Sequence, residues 1–187
     1  MKILLSVCLS LATITSHADE KTACPMAQNT SSNAQDKMVC PMAKSMSKQH
    51  AADVDERGDH AMGFSHEKTK HHFKLTSDGG IIEVDANKQT DTASLDQIRL
   101  HLTHIASMFS SNNFEMPMFI HDTVPPGVPI MKEKHSAISY TFMPTKKGAM
   151  IRIATPDPDA LKAVHEFLAF QITDHRTGDS VSVENKR

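Results

Sequence analysis

The chain has 187 residues, a formal charge of −2, 12 histidines, 12 methionines, three cysteines and no tryptophan. A weakly acidic chain without a Lys/Arg block gives no electrostatic basis for binding nucleic acid, and seven glycines with no phosphate-cradling pattern exclude a nucleotide fold. With 5 % aromatic residues, a core must be built from aliphatic side chains, Met and Phe.

Residues 1–18 read as a secretory signal peptide. Lys2 is the positive start, Ile3 to Ile14 the apolar run, and Ser16-His17-Ala18 the small-residue cleavage site before Asp19-Glu20. The run is too short to span roughly 30 Å of hydrocarbon, and no later run is long enough. The expectation is a periplasmic or secreted protein without a membrane partner. Cleavage leaves Cys24 and Cys40, and an even pair in an oxidising compartment usually forms a disulfide.

Residues 19–57 are rich in Ala, Ser, Asn, Gln, Lys and Asp, and predict a disordered segment that buries too little apolar surface to offset its ordering entropy. Within it Cys24-Pro25-Met26-Ala27 recurs as Cys40-Pro41-Met42-Ala43. Met38, Cys40, Met42 and Met46 place four sulfur groups close together. Thiolate and thioether are soft ligands that select Cu(I), and an extended M-x-C-x-M puts three sulfurs on one side of the chain. A tail with ordinary methionines and paired cysteines is the plainer alternative.

The folded part is expected over residues 58–179, with a tail at 180–187. His72 to Leu75 and Ile81 to Val84 alternate around Ser77-Asp78-Gly79-Gly80, a β-hairpin with Phe73, Leu75, Ile82 and Val84 on one face. After capping residues Thr90 to Ser94, Leu95, Ile98, Leu102, Ile105 and Phe109 recur at three and four, an amphipathic helix ending near Asn112-Asn113. Phe114 to His135 contains Pro117, Pro125, Pro126, Gly127 and Pro129, and predicts a long loop without regular elements. Then the pattern repeats. Ile138, Tyr140 and Phe142 alternate, Lys146-Lys147-Gly148 turns, and Ile151 and Ile153 alternate back. Pro156 to Asp159 opens a second helix through Leu161, Val164, Leu168 and Ile172, closed by Gly178. The predicted fold class is α+β: two ββα repeats forming a four-stranded antiparallel sheet with two helices on one face.

Ligand-type residues recur in this domain. His60, His66, His71 and His72 precede or open the first strand; alternation sends His71 and His72 to opposite faces, so at most one of the two joins a common site directly, and solvated histidines before a strand are the plainer alternative. His66-Glu67 does not make a metalloprotease, because the next histidine is five residues on. On the first helix Gln97, His101, His104 and Met108 form a stripe beside the apolar arc, equally readable as a boundary stripe with polar tips in water. The proline-rich loop adds Met116, Met118 and His121. His165 reads as a satisfied histidine at the edge of the core. His175 is explained by the dipole at a helix C-terminus.

These residues predict binding of a soft metal, copper above all, through Cys24, Met26, Met38, Cys40, Met42, Met46, His66, His71, His101, His104, Met108, Met116, Met118 and His121. The rival reading is an enzyme or small-ligand domain with a His-lined site between sheet, first helix and the 114–135 loop. A third is a non-catalytic interaction module that forms an oligomer through the sheet's outer face (Lys74, Glu83, Thr141, Arg152). No nucleophile constellation supports catalysis directly.

Three resemblances accompany this reading. The words Met62-Gly63-Phe64-Ser65-His66-Glu67-Lys68-Thr69-Lys70-His71-His72-Phe73, His101-Leu102-Thr103-His104, Ile120-His121-Asp122 and Phe167-Leu168-Ala169-Phe170-Gln171-Ile172 resemble exported bacterial proteins of no assigned activity, which implies one folded unit and export only. The Cys-Pro-Met words look like the Cys-Pro-Met-His segments of small heavy-metal-binding domains, with Ala27 and Ala43 in place of that His. Cys-Pro in a flexible segment also resembles haem regulatory motifs, which implies haem as the alternative cofactor.

Overall fold

The computed structural model describes residues 41–183. Residues 1–18, expected from the sequence to be a signal peptide, and Cys24, Met26, Met38 and Cys40 lie outside the described residues.

Alternating side chains place the two hairpins as expected. β1 (Thr69–Thr76) pairs with β2 (Gly79–Ala86), and β3 (Ser139–Pro144) with β4 (Gly148–Ala154). They join through β2 and β4, with Ile82 opposite Ile151 and Val84 opposite Ala149, so the antiparallel sheet runs β1-β2-β4-β3. Period two puts Phe73, Leu75, Ile82, Val84, Ile151 and Ile153 on one face, and all six are buried. At Gly148 a Cβ would stand 2.0 Å from the Val84 carbonyl oxygen, so glycine is what lets the central strands meet. The opposite face carries Lys74, Glu83, Thr141 and Arg152, with ion pairs Lys74–Glu83 at 2.9 Å and Arg152–Asp78 at 2.5 Å.

Two long helices cover the apolar face. α2 (Thr92–Ser110) is capped by Asp91, whose carboxylate accepts from the Ser94 amide and hydroxyl; α5 (Pro158–Asp174) is capped by Asp157, which accepts from the Asp159 and Ala160 amides. α2 follows β2 yet lies mainly on β4 and β3, while α5 follows β4 and lies on β1 and β2. Each helix thus covers the other half's hairpin. The two ββα units are interlocked in one α+β layer pair. His165 on α5 bridges the β1–β2 turn, its Nε2 lying 2.9 Å from Thr76 O and 3.0 Å from Gly79 O.

Two expectations are corrected. Residues 114–135 are not an irregular loop: they hold α3 (Glu115–His121), α4 (Val128–Glu133) and a single 3-10 turn at His135–Ala137. The prolines mislead because Pro117 and Pro129 fall in first helical turns, where the missing N–H has no intrahelical partner to lose. Asp122 in the left-handed region (φ 51°) ends α3.

The described part of 19–57 is also not disordered. Pro41–Met62 is one helix, α1, so the folded chain begins well before residue 58. Its Ala, Met, Lys, Gln, Glu and Arg are good helix formers, and docking needs only a narrow stripe. Val54 is fully buried, Arg57 Nε donates to Ile120 O at 2.7 Å, and Arg176 pairs with Asp55 at 2.6 Å. Residues 42–50 are all exposed. Gly63 (φ 75°) ends the helix. After α5 the chain returns to edge strand β1, where Asp179 accepts from the Phe73 amide at 2.9 Å and meets His72 Nδ1 at 3.0 Å. No helix among the described residues is long and apolar enough to cross a membrane.

Candidate functional site

A cavity of about 60 Å³ lies where the sheet, α2, α3, the end of α5 and the end of α1 meet. Its walls are apolar except for one set of groups: His71 from β1, His101 from α2, His121 from α3, and Gln171 and His175 from α5 and its cap. Met62 from α1 and Met116 from α3 add two thioethers. The strand parity that buries Phe73 also turns His71 inward, and α3 folding back beneath α1 brings His121 to the same space.

The histidines pack on one another. His71 and His175 stack almost parallel, 5.5 Å between ring centres and 5° between planes; His121 meets His175 edge-on at 4.9 Å; His101 sits edge-on to Phe64 at 5.6 Å. Burial lowers His71 to about 4, helped by repulsion from His101 and His72. Burial likewise lowers His101 to about 4, helped by His104. Burial holds His175 well below its ordinary value, helped by His71 and His121. These three imidazoles are neutral at pH 7. Among the described residues none of the three rings makes a hydrogen bond to a protein group. All three residues are half-buried, and their ring nitrogens are not among the buried polar atoms left without a partner, so water reaches them.

His121 is different. It is 2 % exposed, and its Nδ1 donates to Asp174 Oδ2 at 2.5 Å while Nε2 faces Gln171 Oε1 at 3.0 Å. Burial acts to raise the Asp174 carboxyl, but hydrogen bonds from His50 and His121 outweigh it and hold it below the ordinary carboxylate range. The Gln171 Nε2 is buried without a partner. Turning that amide over would let it donate to His121 Nε2 and leave its oxygen unpaired instead. In both orientations one polar atom of Gln171 remains unspent in a side chain lining the cavity.

The cavity has two flanks. On one, the stacked His71 and His175 are shared with an open polar cleft that also holds His66, His72, Lys70 and Arg176. On the other, Met62 and His101 are shared with a groove beside Leu100 and His104. Among the described residues no three His, Cys, Asp or Glu groups stand in position to hold an ion between them. A closed tetrahedral zinc site is therefore not what this arrangement offers. Among the described residues no Ser, Thr or Cys lines the cavity.

Of the residues singled out in the sequence, the structure gathers His71, His101, Met116 and His121 in this cavity. His66 lies outside it, in the polar cleft, with Nδ1 and its backbone N–H on Asp59 Oδ1 at 2.9 and 2.7 Å. The α2 stripe does not converge: His101 turns inward, His104 is exposed, and Met108 packs against the core. Met118 is half-buried outside the cavity wall, and Met42 and Met46 stand exposed on α1. An extended M-x-C-x-M is ruled out at Met42, which is helical.

Sequence reasoning missed Met62, Gln171 and His175. The signal for the last two was present: Gln171 falls on the buried arc of α5, where an amide needs a reason, and a dipole argument for His175 does not say where its ring goes. No family model matches the chain, and neither the curated proteins nor the solved structures yield a significant match.

Proposed function

We propose that this is an exported soft-metal protein whose folded domain holds one Cu(I) ion in the histidine- and methionine-lined cavity. The observation that supports this most is a pair of neutral imidazoles, His71 and His101, without protein hydrogen bonds, in the same cavity wall as the thioethers of Met62 and Met116. Neutral imidazole and thioether are the donors a soft ion selects. Neutral rings also release no proton on binding, so affinity persists at mildly acid pH.

Size and charge support the same ion. About 60 Å³ is far below the roughly 300–1,000 Å³ of drug-sized ligand pockets. Burying a divalent ion in apolar walls costs about four times the Born energy of a monovalent one, so Cu(I) is favoured over Cu(II) or Zn(II). The Asp174 carboxylate behind His121 offsets part of that cost. Export rests on the signal-like residues 1–18, and Cys24, Met26, Met38 and Cys40 would serve as the collecting ligands upstream.

The unspent Gln171 amide favours one alternative, a small neutral molecule that hydrogen-bonds there. Competition against a chromogenic Cu(I) chelator separates the two, using the mature chain with Cys24→Ser and Cys40→Ser. The double variant His71→Phe, His101→Phe is expected to lose one bound equivalent, and Met62→Leu with Met116→Leu to weaken that equivalent about tenfold. Equal stoichiometry with and without the two rings would overturn the metal reading.

A further inference from the structure

The two edges of the sheet are treated differently. Along β1 the outward backbone is strapped, the Phe73 amide donating to Asp179 at 2.9 Å, and the strand carries Lys70, His72 and Lys74. β3, at the other edge, has neither device: residues 136–145 hold no charged side chain. Exposed edges are normally blunted by charge, a bulge or a cover.

Ladder parity identifies what this edge offers. The Thr145 amide donates to the Gly148 carbonyl at 3.0 Å, and the register runs on from there through Pro144 opposite Ala149 and Met143 opposite Met150. Bonded and non-bonded pairs alternate along an antiparallel ladder. Ser139, Thr141 and Met143 therefore bond to β4, while Tyr140 and Phe142 turn N–H and C=O outward. Among the described residues no group outside the sheet accepts from these two amides. Their side chains are unfinished as well. On the helix-covered face Ile82, Val84, Ile151 and Ile153 of the central strands are buried, yet Tyr140 and Phe142 are only half-buried.

We infer that β3 is a dimerisation edge, pairing antiparallel with β3 of a second copy about a two-fold axis at Thr141. In that register the Tyr140 amide donates to the Phe142 carbonyl of the second copy, the Phe142 amide donates to the Tyr140 carbonyl, and both exchanges repeat by symmetry. Tyr140 and Phe142 then stand opposite each other, an aromatic cross-strand pair, and Thr141 meets its own copy at roughly 4.5 Å between Cα atoms. No like charges are brought together. β1 does not compete, because its Phe73 amide is taken and Lys70 and Lys74 would meet their own copies. The pairing closes as a dimer and does not run on as a filament. This inference is independent of the copper reading.

The test uses the metal-free chain lacking residues 1–18 with Cys24→Ser and Cys40→Ser, so that neither an ion nor a disulfide can join two copies. Sedimentation over a dilution series is expected to show a dimer that dissociates, with amide exchange at Tyr140 and Phe142 slower at high concentration. Thr141 is exposed and faces Arg152 on β4, so Thr141→Glu suits the monomer but sets two carboxylates against each other across the axis. It should weaken the dimer about tenfold or more. Mixing Thr141→Glu with Thr141→Lys should restore the dimer. A monomer at every concentration would overturn the inference, as would a dimer indifferent to Thr141→Glu. Tyr140 and Phe142 amides protected equally at all dilutions would also overturn it, because the chain's own residues 19–40 would then cover the edge.

Discussion

His50 and His121 meet at one carboxylate: Asp174 Oδ1 lies 2.8 Å from His50 Nε2, and Oδ2 lies 2.5 Å from His121 Nδ1. One ring stands on the exposed face of α1 and the other is buried under α3, so a single acidic side chain ties both helices to the end of α5. A buried histidine on a charged acceptor is a stronger tie than an exposed ion pair.

Replacing that acceptor should therefore destabilise the fold measurably. Asp174→Asn keeps the shape but removes the charge, and is expected to cost about 1–3 kcal/mol. Asp55→Asn, at the more exposed pair with Arg176, should cost less than about 1 kcal/mol. Urea midpoints of the two variants check the order; equal midpoints would show that Asp174 is a surface group in energetic terms.

Stability should fall as the solution is acidified from neutral. His71 and His101 are lowered to about 4 in the folded protein, against an ordinary value of about 6.5. Between these values the unfolded chain binds protons that the folded one refuses, so unfolding becomes easier as pH drops through that window. Asp174 and Asp179 are depressed as well, and add a further loss below their ordinary carboxylate range. Denaturation midpoints at pH 7, 5.5 and 4.5 should decline for the metal-free protein, and His71→Phe should flatten the decline. A flat series for the unsubstituted chain would contradict the burial of neutral rings.

Gly127 is expected to resist substitution. It sits at φ 81°, and a Cβ there would lie 2.0 Å from the Ala163 carbonyl oxygen. Both the left-handed backbone and the close approach of α4 to α5 oppose Ala. Gly127→Ala should cost at least about 1 kcal/mol, whereas Gly63→Ala, which meets no atom within 4 Å, should cost only the backbone term. Thermal unfolding of the pair measures the difference.

The two hairpins and the long helices were legible because period two and period 3.6 each ran through enough apolar residues to be unambiguous. α1 was not, because its buried stripe is little more than Val54 and Gly58 in a polar background. α3 and α4 were hidden by prolines whose position within a helix, rather than whose presence, decides their effect. The candidate histidines His71, His101 and His121 were visible as residue types. Their convergence was not, since it depends on α3 turning back under α1. His175 had a sufficient local explanation in the helix dipole, and that explanation concealed its place beside His71.

The proposed copper site requires that His71 and His101 be free to take an ion. Long-range nitrogen–proton spectra of the histidine rings test this directly, in the chain lacking residues 1–18 with Cys24→Ser and Cys40→Ser, before and after one equivalent of Cu(I). The ring nitrogens of His71 and His101 are predicted to shift while those of His165, already hydrogen-bonded to Thr76 and Gly79, stay in place. Unmoved signals from both cavity rings would contradict it.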